Sequence, residues 1–237
     1  MSSPNPTFDR QKHFKQVAAE KAAGFVQSGM IVGLGTGSTA IYATRKIGEL
    51  LKTGTLKDVI AIATSHRTDE EARSLNIPMM DDSVPRSIDI TIDGADEVDP
   101  HFQLIKGGGG ALLREKIVAQ ASARVIIVVD ESKLCERLGK FPLPVEVMNF
   151  GWRSQSQFIE AQGAKISVRK NPDGTTYLTD SGNLILDCHF GSIADPPALA
   201  LQLGGRAGIV EHGLFLGIAS EVIVAGEHGL RDLTQPE

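Results

Sequence analysis

Apolar and polar positions follow two rhythms along the chain, and each change of rhythm marks an element. Over residues 9–27, Phe14, Val17, Ala18, Ala22 and Phe25 recur at spacings of three and four, which predicts an amphipathic helix closed by Ser28-Gly29. Met30-Ile31-Val32 is a short apolar strand running into GLGTGS, and residues 40–51 read as a second helix. A strand over 59–63 leads into a charged helix over 69–75. Ile88-Asp89-Ile90-Thr91-Ile92-Asp93 alternates strictly, as a strand does. A short apolar segment at 102–105 and a helix over 111–121 follow. Five consecutive β-branched residues at 125–129 then mark a strand buried on both faces. Strands alternating with helices predict βαβ units and a parallel sheet.

The order changes after Pro142 and Pro144. Strands at 145–147, 165–168, 176–178 and 184–188 are separated by a helix at 154–161 and by turns at Asn171-Pro172-Asp173-Gly174 and Ser181-Gly182-Asn183. Asp195-Pro196-Pro197 opens a further helix, with the aspartate as N-cap and proline in the first turn. Residues 218–224 read as a return strand. The expected architecture is α/β: a Rossmann-like parallel-sheet domain over 1–143 plus 214–237, carrying an inserted α+β domain of the split βαβ kind over 144–213.

Composition narrows the class. Of 237 residues, 41% are hydrophobic and 22% charged, which excludes disorder for the bulk and suffices for a core without disulfides or structural metal. Lys+Arg 24 against Asp+Glu 29 gives 24 − 29 = −5 with no basic block, which argues against a nucleic-acid or anionic-membrane surface and leaves room for a local anion pocket. Cys135 and Cys188 are too far apart for a CxxC site and read as reduced packing residues. No apolar run is long enough to span a membrane, and the opening MSSPNPTFDR has neither a basic nor an apolar signal region, so a cytoplasmic location is expected.

Several segments carry candidate chemistry. Gly35-Thr36-Gly37-Ser38-Thr39-Ala40 fits G-x-G-x-x-G/A between a strand and a helix, where bare N–H groups stabilise a phosphate. The next strand ends without the carboxylate that a dinucleotide ribose needs, and Ser38-Thr39 suits a terminal phosphate; a tight turn without ligand is the plainer alternative. Asp93, Asp96, Glu97 and Asp99 put four carboxylates within seven residues at a strand's carboxyl end, without EF-hand spacing. A solvated acidic loop is the alternative there. Lys106 precedes four glycines, Gly107 to Gly110, whose entropic cost makes sense where backbone approaches a ligand closely. Glu115 has apolar neighbours three and four residues away on either side, Ala111, Leu112, Val118 and Ala119, whereas Arg114, Lys116 and Gln120 point elsewhere. A glutamate in an apolar arc one turn beyond a glycine loop suits proton transfer better than solvent. Lys133 is either a phosphate counter-charge or a surface lysine. The six histidines lack metal-ligand spacing, and no G-x-S-x-G elbow surrounds Ser38.

GLGTGSTA, TIDGADEVD, IKGGGGALLREK, DESK and GKFPLPVEV, in this order, with the later SGNLILD, closely resemble the type A ribose-5-phosphate isomerase family. The resemblance implies a Rossmann-like domain with a smaller α+β domain, a homodimer or homotetramer, and aldose–ketose isomerisation of ribose 5-phosphate and ribulose 5-phosphate in the pentose phosphate pathway, with no cofactor. No metal is expected either, because no histidine or cysteine ligand set exists and the acidic loop lacks cation spacing. By the same resemblance the substrate loop falls on Thr36, Gly37, Ser38 and Thr39, and the acidic loop on Asp93, Gly94, Ala95 and Asp96. The lysine–glycine loop falls on Lys106, Gly107, Gly108 and Gly109, the catalytic glutamate on Glu115, and phosphate contacts on Lys133 and Lys15. It further implies Asp93 as acid/base for ring opening and Lys106 as charge stabiliser, with Glu115 moving the proton. The family often has alanine where Gly110 stands, and residues 209–237 carry none of its motifs. A non-enzymatic sugar-phosphate sensor is the main alternative. Coenzyme-A transferases and amino-sugar-phosphate deaminases share only the general architecture.

Overall fold

The computed structural model describes residues 6–80 and 87–234; the outermost residues of the expected larger domain, 1–5 and 235–237, lie outside them. In chain order the first elements are α1 (Pro6–Ala23), β1 (Ile31–Leu34), α2 (Ala40–Lys52), β2 (Ile60–Ala63), α3 (His66–Ser74) and β3 (Ile90–Asp93). Next come β4 (Glu97–Val98), β5 (Leu104–Ile105), α4 (Leu112–Gln120), β6 (Val125–Asp130), a single 3-10 turn at Glu131–Lys133, and β7 (Leu143–Val147). The remainder is α5 (Trp152–Glu160), β8 (Lys165–Val168), β9 (Leu184–His189), α6 (Pro196–Gly204), β10 (Ile209–His212), β11 (Leu214–Phe215), β12 (Glu221–Gly226) and β13 (Gly229–Thr234). The chain divides into two compact units, one of Met1–Gly94, Val118–Leu134 and Ala219–Glu237, the other of Ala95–Ile117 and Cys135–Ile218.

The first unit is built on a six-stranded sheet in the order β13-β12-β6-β3-β1-β2. All neighbours are parallel except the β12–β13 hairpin at one edge. On one face, Leu34, Ile90, Ile92, Ile126, Val128 and Ile223 pack against the alanines of α1 (Ala18, Ala19, Ala22, Ala23) and against Ile47 of α2. Those small side chains let the helix lie close to the sheet, and each fully buried isoleucine contributes about 1.5–3 kcal/mol. On the other face, Val118 packs with Ile62 and Ile88. The chain runs from β1 outward to β2 and then returns to β3 on the far side of β1. The loops after β1 and β3 therefore leave in opposite directions, which opens the crevice where open α/β sheets bind ligands.

The second unit holds two antiparallel sheets, β10-β7-β9-β8 and β11-β5-β4. The first, with α5 and α6, runs β-α-β-β-α-β in the chain, the split βαβ arrangement that the two turn-rich hairpins suggested. Leu143, Val145, Val147, Leu186, Leu203 and Leu214 form its buried core. Among the described residues no helix is long and apolar enough to cross a membrane.

Boundaries shift where local capping overrides periodicity. The first helix closes at Ala23, where Gly24 N–H turns back to the carbonyls of Glu20 and Lys21, so residues 24–27 fall outside it. The third helix begins at His66 instead of 69, because Ser65 accepts a hydrogen bond from Thr68 N at 3.1 Å and caps it. The expected strand at 176–178 is reduced to one bridge, Lys170 with Thr176. Strands β4, β10, β11 and β13 arise where no strand was expected, being short or lacking a clear alternation.

The sheet's closest internal approach is at Gly33, where a Cβ would lie 1.9 Å from Thr91 Oγ1 and 2.8 Å from Val118 Cγ1. Gly33→Ala is expected to destabilise the protein by about 1–3 kcal/mol through overpacking. Thermal melts followed by circular dichroism check this, and an unchanged midpoint would contradict the packing described.

Candidate active site

In the first unit the candidate residues sit at the carboxyl ends of three adjacent parallel strands, β6, β3 and β1. Gly35 N–H bonds to Ile92 O at 2.9 Å, and a Cβ on Gly35 would meet Asp93 Oδ1 at 2.2 Å. Only glycine lets the exit of β1 pass the Asp93 side chain. Asp93 itself is buried, and its carboxylate accepts from Gly94 N at 2.7 Å. Gly37 then takes φ +130°, a left-handed value that turns the chain into α2.

The Thr36 hydroxyl points into a cluster of its own kind, 2.7 Å from Thr64 Oγ1 and 3.2 Å from Thr68 Oγ1, and donates to Ser65 Oγ at 2.8 Å. Thr68 in turn donates to Gly35 O at 3.3 Å. The cluster ties the loop after β1 to the start of α3. The next two hydroxyls are arranged differently. Ser38 is exposed and accepts from Lys15 Nζ at 3.1 Å, while Thr39 stands at the N-cap of α2 without using its side chain to cap it. The first turn of α2 has no acidic residue. The Ser38 hydroxyl, a helix N-terminus and an ammonium thus meet at the start of α2, a setting that stabilises a phosphate, with the buried Thr39 at the N-cap beside them. Lys133 ends the turn after β6, whose N-cap Asp130 accepts from Ser132 N at 3.0 Å.

In the second unit the acidic loop is not a solvated run. Glu97 is buried and accepts from Gly139 N at 2.7 Å and Phe141 N at 2.5 Å. Asp99 accepts from His101 N and Gln103 N, both at 2.9 Å. These two carboxylates hold backbone. Asp96 does the same for the glycine loop, accepting from Gly108 N at 2.7 Å, and a Cβ on Gly108 would lie 2.5 Å from Asp96 Oδ1.

Lys106 and Glu115 meet in the interior. Lys106 is 3% exposed, Glu115 is 3% exposed, and Nζ lies 3.3 Å from Oε2. Ala111, just before α4, and Leu112, Val118 and Ala119 on it are all buried. Between the pair runs the glycine loop. Gly107 (φ +100°) and Gly110 (φ +85°) need the left-handed region, and a Cβ on Gly110 would collide with Tyr177 Oη at 2.2 Å. Arg169, which no motif singled out, donates through Nη1 to Gly107 O at 2.8 Å and Gly108 O at 3.2 Å while its Nε bonds Asp187 at 3.0 Å. It fixes which way the loop's carbonyls point. Gly108 and Gly109 are left at the surface.

Lys116, read from the wheel as pointing away from Glu115, does so but is not solvated. It is 5% exposed and donates to Glu211 Oε1 and to His212 O, both at 2.6 Å. Burial lowers its pKa, and burial together with the Lys116 charge lowers that of His212 to about 4. The wheel compares neighbours on one helix only, so it had no means of finding a partner 95 residues away.

The sequence model of the family described as ribose 5-phosphate isomerase A (phosphoriboisomerase A) matches residues 60–229. A ribose-5-phosphate isomerase A of Chloroflexus aurantiacus is 53% identical over 93% of this chain and 92% of that protein. Among solved structures, a ribose 5-phosphate isomerase from Plasmodium falciparum superposes with a TM-score of 0.91 at 39% identity, covering 95% of this chain and 100% of the other. A D-ribose-5-phosphate isomerase in complex with phospho-erythronic acid gives 0.91 at 37%, covering 94% and 98%.

The depressed pKa of His212 has a measurable consequence. Between about 4 and the ordinary 6.5 the unfolded chain binds a proton that the folded chain excludes. This contribution to stability is complete above the upper value and is lost as pH falls through the window. Urea unfolding at a series of pH values should show that loss, and His212→Asn should flatten it. An imidazole midpoint near 6.5 by NMR would rule out the desolvated setting.

Proposed function

The chain belongs to the ribose 5-phosphate isomerase A family, and we propose on that footing that it interconverts D-ribose 5-phosphate and D-ribulose 5-phosphate without a cofactor. The observation that carries this reading is the buried Lys106–Glu115 pair directly flanking the glycine loop. An aldose–ketose isomerase needs one base to move a proton between C2 and C1, and a cation or N–H donors to take up charge on the enediolate oxygen. Glu115 is the base in this assignment. Lys106 and the amides of Gly107 and Gly109 meet the developing oxyanion, while Gly108, whose N–H is held by Asp96, shapes the loop that lines the substrate.

The ring must open first. Asp93 is assigned the acid/base role in that step, with Gly94, Ala95 and Asp96 lining the substrate beside it. The 5-phosphate is assigned to the backbone of Thr36 and Gly37, the hydroxyls of Ser38 and Thr39, and the ammoniums of Lys15 and Lys133. The Lys15–Ser38 bond and the uncapped start of α2 support that choice. The related structure with phospho-erythronic acid holds a compound that carries a phosphate and a carboxylate. A sugar-phosphate sensor would have no use for a carboxylate and an ammonium taken out of water together. The same reading puts the protein in the cytoplasm as a homodimer or homotetramer with no nucleic-acid or membrane partner. The free thiols of Cys135 and Cys188 support the first point.

Purified protein is expected to form ketose from ribose 5-phosphate, and no turnover above a heat-treated control would end this reading. Glu115→Gln should lower kcat by at least ~10²–10⁴-fold while calorimetric affinity for ribose 5-phosphate survives. Near-normal turnover would remove Glu115 as the base. Lys133→Ala should cost on the order of 1.5–3 kcal/mol in kcat/KM, the value of one charge-assisted contact, and a native value would exclude Lys133 from the phosphate site.

A further inference from the structure

Residues 211–215 carry no motif, yet they touch both sides of the candidate catalytic pair. Phe215 lies opposite Leu104, and Leu214 opposite Ile105, in the β11–β5 ladder. Lys106 continues from β5, and its N–H bonds Gly213 O at 2.9 Å. A Cβ on Gly213 would meet Lys106 O at 2.3 Å, so the two backbones are in direct contact. From the other side comes Lys116, the residue after Glu115 on α4. Its ammonium is held by Glu211 Oε1 and His212 O, both at 2.6 Å. The Phe215 ring joins the two, with Lys116 Nζ 4.9 Å and Lys106 Nζ 5.4 Å from its centroid.

One five-residue segment therefore grips the strand end that presents Lys106 and the helix that presents Glu115. A lysine is almost never fully buried unless paired, and here the pairing anchors a helix instead of a substrate. We propose that Lys116, anchored on Glu211 and the His212 carbonyl and seated on Phe215, is a positioning residue that sets the rotation of α4 and holds Glu115 in register with Lys106. Lys116 touches no reacting atom. Its two hydrogen bonds fix the turn of helix that carries Glu115, and its contact with Phe215 fixes the ring against which the Lys106 ammonium rests. A cation–π contact to a desolvated ammonium is favourable, so the ring constrains both lysines at once.

This inference rests on the isomerase reading of Lys106 and Glu115. It is tested by steady-state kinetics with ribose 5-phosphate on Lys116→Met, Phe215→Leu and the double variant, each checked for folding by circular dichroism. Small misplacements of catalytic groups cost rate heavily, so each single variant should lose about tenfold or more in kcat, with KM for ribose 5-phosphate within about twofold of native. Because both act through one path, the double variant should be no slower than the slower single. Single variants with native kcat, or losses that multiply in the double, would overturn the proposal. Should those chains fail to fold, Glu211→Gln decides, since a quarter of that side chain is already exposed (24%). A lowered kcat at unchanged KM is expected, and native kcat would overturn the proposal. The native protein is assayed alongside: an inactive native chain strikes the isomerase reading, whereas an active one with unaffected variants strikes only the positioning role.

Discussion

A carboxylate removed from water needs a cation held in place for it, and much of the second unit meets that requirement for Glu115. The desolvation penalty is several kcal/mol per ion, and leaving either partner buried alone costs about 3–5 kcal/mol. Lys106 answers Glu115 from the end of β5, at 3.3 Å. Its own placement depends on β11 alongside, and that of Glu115 depends on a helix whose next residue is itself a buried, paired lysine. Charge thus leaves water in matched sets, Lys106 with Glu115, both buried, and the buried Lys116 with the partly exposed Glu211.

Glycine makes these approaches possible. Gly107, Gly108, Gly110 and Gly213 each stand where a Cβ would fall within 3 Å of another group. In the first unit Gly33 and Gly35 do the same between neighbouring strands. The entropic cost of so many glycines is offset by tight backbone contact around polar groups that tolerate no slack. The acidic loop follows a related logic. Glu97 and Asp99 spend their charge on backbone N–H groups, and Asp96 on Gly108, so a segment that reads as a cluster of reactive carboxylates is largely scaffold.

Much of the architecture was legible in the chain because it is local. Periods of two and of three to four, the β-branched run at 125–129, the Asp195 N-cap and the glycine loops after strands all state their conformation within a few residues. The α/β sheet and the split βαβ unit follow from their order. Glu115 could be singled out because its neighbours at three and four residues are apolar, and a helical wheel needs nothing more.

What the chain did not disclose depends on partners far away in sequence. Lys116 points away from Glu115 on the helical wheel, and it is buried because Glu211 and His212 arrive 95 and 96 residues later. Arg169 governs the carbonyl of Gly107 from 62 residues away. The two-residue strands β4 and β11 are too short to show any period and exist only because they pair with β5. Sequence alone determined the helices, the strands with a clear period and the residue types that could carry the chemistry, since backbone preference and side-chain periodicity are near-neighbour effects. Only the tertiary structure decided which charges leave water and which partner each one finds, because desolvation is set by everything that packs around a group, whatever its distance along the chain.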